Sequence, residues 1–446
     1  MKEETELRRT LTLFQTAAIG LAWMTPMIYF SVFGIAYEAS GGMITEAYAL
    51  AAVAIFFTAS SYSVMAKRFP NSGSAYTYVK RALHPVLGFG VGWAVLLDYL
   101  FSPLIAVLTF GIYLNAQFPA VPISVWVLLL NAALAFVNII GVQFSARLSK
   151  LFVLLQIGFI VLFCAYLAKG LAGGGTPFLP FAGLSASLPT LLAGTSIICF
   201  SFLGFDTVST LSEETLDAKK TIPRAILIII AVASALYIVT SYLIETKYPA
   251  LTFANADAAG FELVRLVGGA ALGAIFTAVL ICATFTQGLT SVTSVSRLLF
   301  VLGRDSTIPR RFFGALHPRF RTPVNNIVLV SVFSLLALII SLDAAVKFVS
   351  FGALTAFAFV NLSVVFEMYG RQKRRSPLET VKYLVFPLCG AGFVVWLITL
   401  LDADALLLGG SWLAFGLVYY LFRNYELRPK QPRVPEAGSA WDPPQA

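Results

Sequence analysis

Runs of about twenty apolar residues, each long enough to cross roughly 30 Å of hydrocarbon, recur along this chain with short polar interruptions. Twelve are predicted, at approximately 14–37, 43–66, 86–117, 121–141, 148–168, 188–211, 223–247, 268–302, 323–342, 345–369, 380–401 and 405–423. No hydrophilic block between them is long enough for a soluble domain. Residues 1–424 therefore read as one polytopic unit, and the proline-rich stretch 425–446 as a disordered tail. The expected class is an all-α integral membrane protein with twelve transmembrane helices.

Composition agrees with the pattern: 58% of residues are hydrophobic and 12% charged, against roughly 25% charged in soluble domains. The opening MKEETELRRTLTLF lacks the short apolar core and cleavage site of a signal peptide, so the first span is expected to be retained. A cytoplasmic N-terminus leaves only Lys169, Lys247, Arg265 and Lys347 of the 31 Lys and Arg on the outer side. The positive-inside rule is then satisfied with both termini in the cytoplasm. The net charge of +9 is a topology signal facing anionic lipid and calls for no nucleic-acid partner.

Cys164, Cys199, Cys282 and Cys389 lie singly within apolar runs, and His84 and His317 are isolated, so no metal site is expected. No nucleophile and base recur together at depth, which argues against an intramembrane enzyme.

Asp206 is the sole ionisable carboxylate in LLAGTSIICFSFLGFDTVSTL, and Asp98 is embedded in a similar run. An acid at the bilayer midplane costs on the order of 2.5–3.5 kcal/mol, so two of them suggest a cationic cargo. Pro26, about thirteen residues into the first span, removes a backbone donor near mid-membrane. Gly204 is a second weak point at similar depth in span six. Two interrupted helices of opposite direction, five spans apart, are the pattern of an inverted-repeat transporter with its site at the breaks. The plainer readings, a kink at Pro26 and a close helix contact at Gly204, remain open at this level.

The stretches FPNSGSAYTYVKRALHPVLGFGVGW, SFLGFDTVSTLSEETLDAKKTIPRAI and SVSRLLFVLGRDSTIPRRFFGALHPRFRTPV resemble signatures of the amino acid-polyamine-organocation transporter superfamily. The resemblance covers residues 7 to 424. It implies inverted repeats at approximately 14–168 and 188–369 forming a 5+5 core with broken helices one and six, two peripheral helices at 380–423, and alternating access. Amino acid permeases of the superfamily usually carry a glycine- and serine-rich first-span break that receives a carboxylate. Here the stretch is Thr25-Pro26-Met27-Ile28, preceded by Trp23, so that cradle looks impaired. The segments GLAWMTPM, LLDYLFSPLIAV and CFSFLGFDTVSTLSEET are similar to those of bacterial putrescine importers. The resemblance thus implies an importer of putrescine or a similar amine in the cytoplasmic (inner) membrane, with an amino acid or other organic cation permease as the alternative.

Asp98 and Asp206 facing one cavity can hold two ammonium groups by charge-assisted hydrogen bonds. Tyr99 matches a substrate-site tyrosine of the putrescine importers. Phe200 occupies the position of the superfamily's span-six gate, and Phe202, Phe205 and Trp23 are further candidates for cation–π contact or occlusion. Glu213 and Glu214 are expected to pair with basic residues at the inner end of span six. For energy coupling, the superfamily resemblance aligns Gln156 with a lysine of some proton-coupled members, and Gln156 cannot titrate. Proton coupling through Asp98 or Asp206, sodium held by hydroxyls such as Thr290, Ser291 and Ser294, and uniport or exchange are all carried forward.

Overall fold

The computed structural model describes residues 9–171, 188–253, 259–401 and 403–426. The expected tail therefore lies outside the described residues beyond Glu426. The described residues hold no β-strand, only an isolated parallel bridge between Leu11 and Thr215.

Helix follows helix in the order α1 (Leu13–Met24), α2 (Ile28–Ala39), α3 (Ile44–Arg68), α4 (Ser74–Ala82), α5 (Pro85–Gln117), α6 (Ile123–Ile140), α7 (Val142–Leu171) and α8 (Leu188–Cys199). The second half continues with α9 (Ala218–Lys247), α10 (Ala259–Arg304), α11 (Arg310–Phe313), α12 (Val324–Ser334), α13 (Leu342–Val364), α14 (Pro377–Thr380), α15 (Phe386–Thr399) and α16 (Ala403–Glu426). In hydrocarbon every backbone polar group needs an internal partner, which is why apolar runs of this length can only be helices.

Among the described residues, ten helices are long and apolar enough to cross a membrane, and the bent pair α1–α2 makes eleven. The expected run at 323–342 departs from the twelve-span reading. It forms a shorter apolar helix, Val324–Leu338, whose last turn narrows to a 3-10 helix from Leu335 to Leu338. The run at 268–302 also differs, being the main part of α10, which begins earlier and breaks at Gly269 (φ 69°, ψ −162°).

Local chemistry starts the helices where the chain enters them. Thr12 and Gln15 form a capping box at α1. His84 accepts from the Val86 amide with Pro85 in the first turn of α5. α5 is central, packing against α4, α6, α10, α13 and α16. Its link to α16 is a reciprocal clasp: the Trp93 indole N–H donates to the Trp412 carbonyl at 3.0 Å and Trp412 returns the bond at 2.7 Å.

Candidate functional site

The first span breaks where Pro26 predicts. α1 and α2 are bent by 45°, and Thr25 between them takes a left-handed conformation (φ 54°). Proline cannot extend the helix and disfavours helical geometry in the residue before it. Two of its amides are paired within it: the Thr25 N–H donates to Leu21 O at 2.9 Å and the Ile28 N–H to Thr25 O at 2.8 Å. Pro26 offers no donor, so the break has fewer amides for a carboxylate than a run of glycine and serine would.

Span six breaks at Gly204. α8 narrows into a 3-10 turn over Phe200–Phe202, Leu203 is extended (ψ 142°), and Gly204 is left-handed (φ 109°) before a second 3-10 helix, Phe205–Leu211. The hydroxyls of Thr207, Ser209 and Thr210 donate to the carbonyls of Gly204, Asp206 and Thr207 at 2.6–2.7 Å. These side chains satisfy carbonyls that an ordinary helix would pair with amides, which fits the Ser/Thr content of this stretch. The two breaks touch. A Cβ at Gly204 would lie 2.0 Å from Trp23 Cδ1, so a side chain does not fit there, and the positive φ independently favours glycine.

Against these breaks lies a cavity of about 200 Å³, smaller than the roughly 300–1,000 Å³ of drug-sized pockets. Among the described residues Asp98 is the only charged one in its lining, which includes Trp23, Thr25, Phe200 and Gln287. Ser102, Ile105 and Thr109 follow Asp98 along the same wall at the spacing of one helical face. The Ser102 hydroxyl donates to the Asp98 carbonyl at 2.8 Å and lies 3.2 Å from its carboxylate.

Asp206 sits behind that wall. It is absent from the cavity lining, and its Oδ2 accepts from the Tyr99 hydroxyl at 2.9 Å. Its Oδ1 is buried with no hydrogen-bond partner. Tyr99 in turn packs on Trp23, with ring centroids 5.2 Å apart. The consecutive residues Asp98 and Tyr99 thus point to different sides, one to the cavity and one to the second acid.

A scan against known families matches residues 14–418 to the family described as amino acid permease. This chain belongs to the amino acid permease family. Among similar proteins, the low-affinity putrescine importer PlaP of Escherichia coli (strain K12) is 40% identical over 424 residues, covering 93% of each chain. The methylthioribose transporter of Bacillus subtilis (strain 168) is 27% identical, covering 93% of this chain and 94% of its own. The branched-chain amino acid permease BcaP of the same organism is 25% identical over 94% of this chain and 93% of its own.

In this permease the other candidate residues are dispersed around the cavity. Phe200 lines it. Phe202 is instead buried between Tyr48 and Tyr237, and Phe205 between Tyr62 and Phe357. Pro26 and Met27 are buried in the break without lining the cavity. The hydroxyls of Thr290 and Ser291 donate to carbonyls of their own helix, whereas Ser294 Oγ and both polar atoms of Gln156 are buried without partners. Thr284, the first member of the span-eight hydroxyl run, also lines the cavity, as do Leu203, Gln287 and Tyr113, which carry no charge or motif that singles them out in sequence. For Ser102 and Thr109 the helical spacing from Asp98 is the signal that finds them. Among the described residues no cluster of His, Cys, Asp or Glu is placed to hold a metal ion.

Where the described residues begin, the segment before the first span is tied to the end of span six. Thr10 and Leu11 donate their amides to Glu214 O at 2.8 and 2.9 Å, and the Leu216 amide donates to Leu11 O at 2.9 Å. Glu214 pairs with Arg297 at 2.6 Å, both almost fully buried, and Glu213 with Arg304 at 2.5 Å. The Asp98 cavity extends the other way, along α5 to Tyr113.

Proposed function

We propose that this permease imports putrescine or a similar small di- or polyamine across the cytoplasmic (inner) membrane by alternating access, with both termini in the cytoplasm. The observation that carries the reading is Asp98. Among the described residues it is the lone charge on a small cavity whose neighbouring first-span break has its Thr25 and Ile28 amides committed internally and a proline in place of a donor. A cation is matched there and a carboxylate is not. The likeness to a putrescine importer over 93% of the chain supports the same cargo.

In this reading one ammonium binds Asp98 by a charge-assisted hydrogen bond. The other reaches Asp206 when Tyr99 turns away, which gives the buried Oδ1 a partner. Trp23 and Phe200 supply cation–π contact. The seal at Glu213, Glu214 and Leu11 holds the cytoplasmic side closed while the cavity faces outward, and import requires it to open. Coupling is assigned to protons carried by Asp98 or Asp206, with sodium at the span-eight hydroxyls as the competing reading.

The test is uptake of labelled putrescine into sealed proteoliposomes, with imposed proton or sodium gradients and competition by neutral amino acids. Saturable uptake with counterflow, competed by diamines and not by amino acids, is expected. Amino acid competition of equal strength overturns the substrate assignment in favour of an amino acid permease. Stimulation by a sodium gradient alone overturns the proton assignment.

A further inference from the structure

A second cavity, of about 240 Å³, lies beyond Phe200 and Leu203, which line both it and the Asp98 cavity. Its walls come from α2, α3, α8, α13 and α15, through Val32, Ile55, Cys199, Leu354 and Leu397. Among the described residues no charged side chain lines it. Its two serines are already satisfied: Ser196 Oγ donates to Ala193 O at 2.7 Å and Ser350 Oγ to Val346 O at 3.0 Å. The described lining therefore offers an occupant chiefly apolar contact. Apolar cavities of about 150 Å³ already stay dry and take up benzene, so this one has room for part of an alkyl chain.

The source of that chain is indicated by where the lining reaches the surface. Leu400 lines the cavity and is 52% exposed. Leu388 and Val395 on α15 and Leu407 on α16 are likewise exposed apolar residues. In a membrane-spanning helix bundle such a surface faces lipid. The shared wall is also the least regular part of span six, a 3-10 turn followed by extended Leu203 and left-handed Gly204. It lacks the hydrogen-bond ladder that would hold an α-helix in place.

We propose that this side cavity holds one acyl chain of a bilayer lipid, and that its occupancy fixes the Phe200–Leu203 wall and so changes how tightly the amine binds. The second half rests on the reading of the Asp98 cavity as the amine site; the first does not.

The full chain is reconstituted in nanodiscs of phosphatidylcholine carrying a diazirine on the acyl chain, irradiated and mapped by peptide. Adducts are expected at residues 196–203 and 397–401, falling by about tenfold in Ser350→Phe, which fills the cavity. Adducts near Leu407 and Val418 should be unchanged. Equal labelling of the cavity in the filled variant, or labelling confined to the α16 surface, overturns the lipid assignment. Leu397→Phe is the alternative plug if Ser350→Phe does not fold. A photoreactive decanoate added from water forms the control arm. Cavity adducts from decanoate and none from the lipid assign the site to a soluble amphiphile and overturn the proposal. Finally, putrescine affinity is compared in lipid and in lipid-stripped micelles. A change of about fivefold in the wild type, absent in Ser350→Phe, is expected. An unchanged affinity overturns the coupling alone, and absence of putrescine binding in both media counts against the amine reading without touching the crosslinking result.

Discussion

The Tyr99 hydroxyl donates to Asp206 Oδ2 at 2.9 Å across 107 positions of sequence. The bond joins α5 to the break of span six, directly behind the Trp23 ring that faces the cavity. Two acids that look equivalent along the chain are thereby given different surroundings, Asp98 open to the cavity and Asp206 screened from it.

That difference predicts separable mutant effects. Asp206→Asn keeps an oxygen to accept from Tyr99, so folding should persist while putrescine affinity falls at least about tenfold, the loss of roughly one charged hydrogen bond. Asp98→Asn should hurt binding of both diamines and monoamines of similar length, and the diamines more. Isothermal titration of each variant decides this; near-normal putrescine affinity in Asp206→Asn removes Asp206 from the site.

Gly204→Ala should destabilise the protein and abolish uptake. A left-handed backbone in a residue with a Cβ costs on the order of 1–3 kcal/mol, and here the added methyl also meets Trp23 at 2.0 Å. Adding Trp23→Leu relieves the contact and leaves the backbone cost, so the double variant should recover melting temperature only in part. Full recovery would show that the φ of Gly204 is unimportant.

Glu214 and Arg297 are 4% and 1% exposed. Removing one partner of such a buried pair strands the other charge and costs about 3–5 kcal/mol. Arg297→Met alone should therefore lower the melting temperature sharply, and Arg297→Met with Glu214→Leu should restore much of it. Arg304→Met, whose pair with Glu213 is 25% and 17% exposed, should change stability far less, because solvent screens that pair. Thermal unfolding of the three variants in one detergent checks the order.

Alkaline pH should loosen the same end of the molecule. Partial burial acts to lower the Lys80 pKa, but hydrogen bonds to Asp305 and the Tyr76 hydroxyl outweigh it and leave the value above the ordinary lysine range. A base with a raised folded pKa contributes stability that is fully present below its unfolded value, about 10.4, and lost as pH rises through the folded one. Melting temperature should fall above about pH 10.4 with a slope that Lys80→Met removes. The effect is small because Lys80 is 34% exposed. An unchanged slope in Lys80→Met would assign the alkaline loss to other groups.

Much of the scaffold is legible in one dimension. Hydrophobic run length marks the spans because hydrocarbon admits only internally bonded backbone, and the breaks at Pro26 and Gly204 follow from a missing donor and a missing Cβ. Span length was less secure: the run at 323–342 reads as a full crossing, yet its helix narrows to a 3-10 turn and stops at Leu338. The aromatics were least legible. Phe200, Phe202 and Phe205 are chemically alike in sequence, but the 3-10 geometry and the left-handed Gly204 turn them to three different environments.

The sequence by itself determined an all-helical membrane protein with two acids inside apolar runs and two weak points, because composition, periodicity and residues with unusual backbones act locally. Only the tertiary structure decided which acid meets the cavity. That depends on Tyr99 lying one position beyond Asp98, about 100° further round the helix, and on a tryptophan from another span filling the space that glycine leaves. Such contacts join residues far apart in the chain, and no local pattern encodes them.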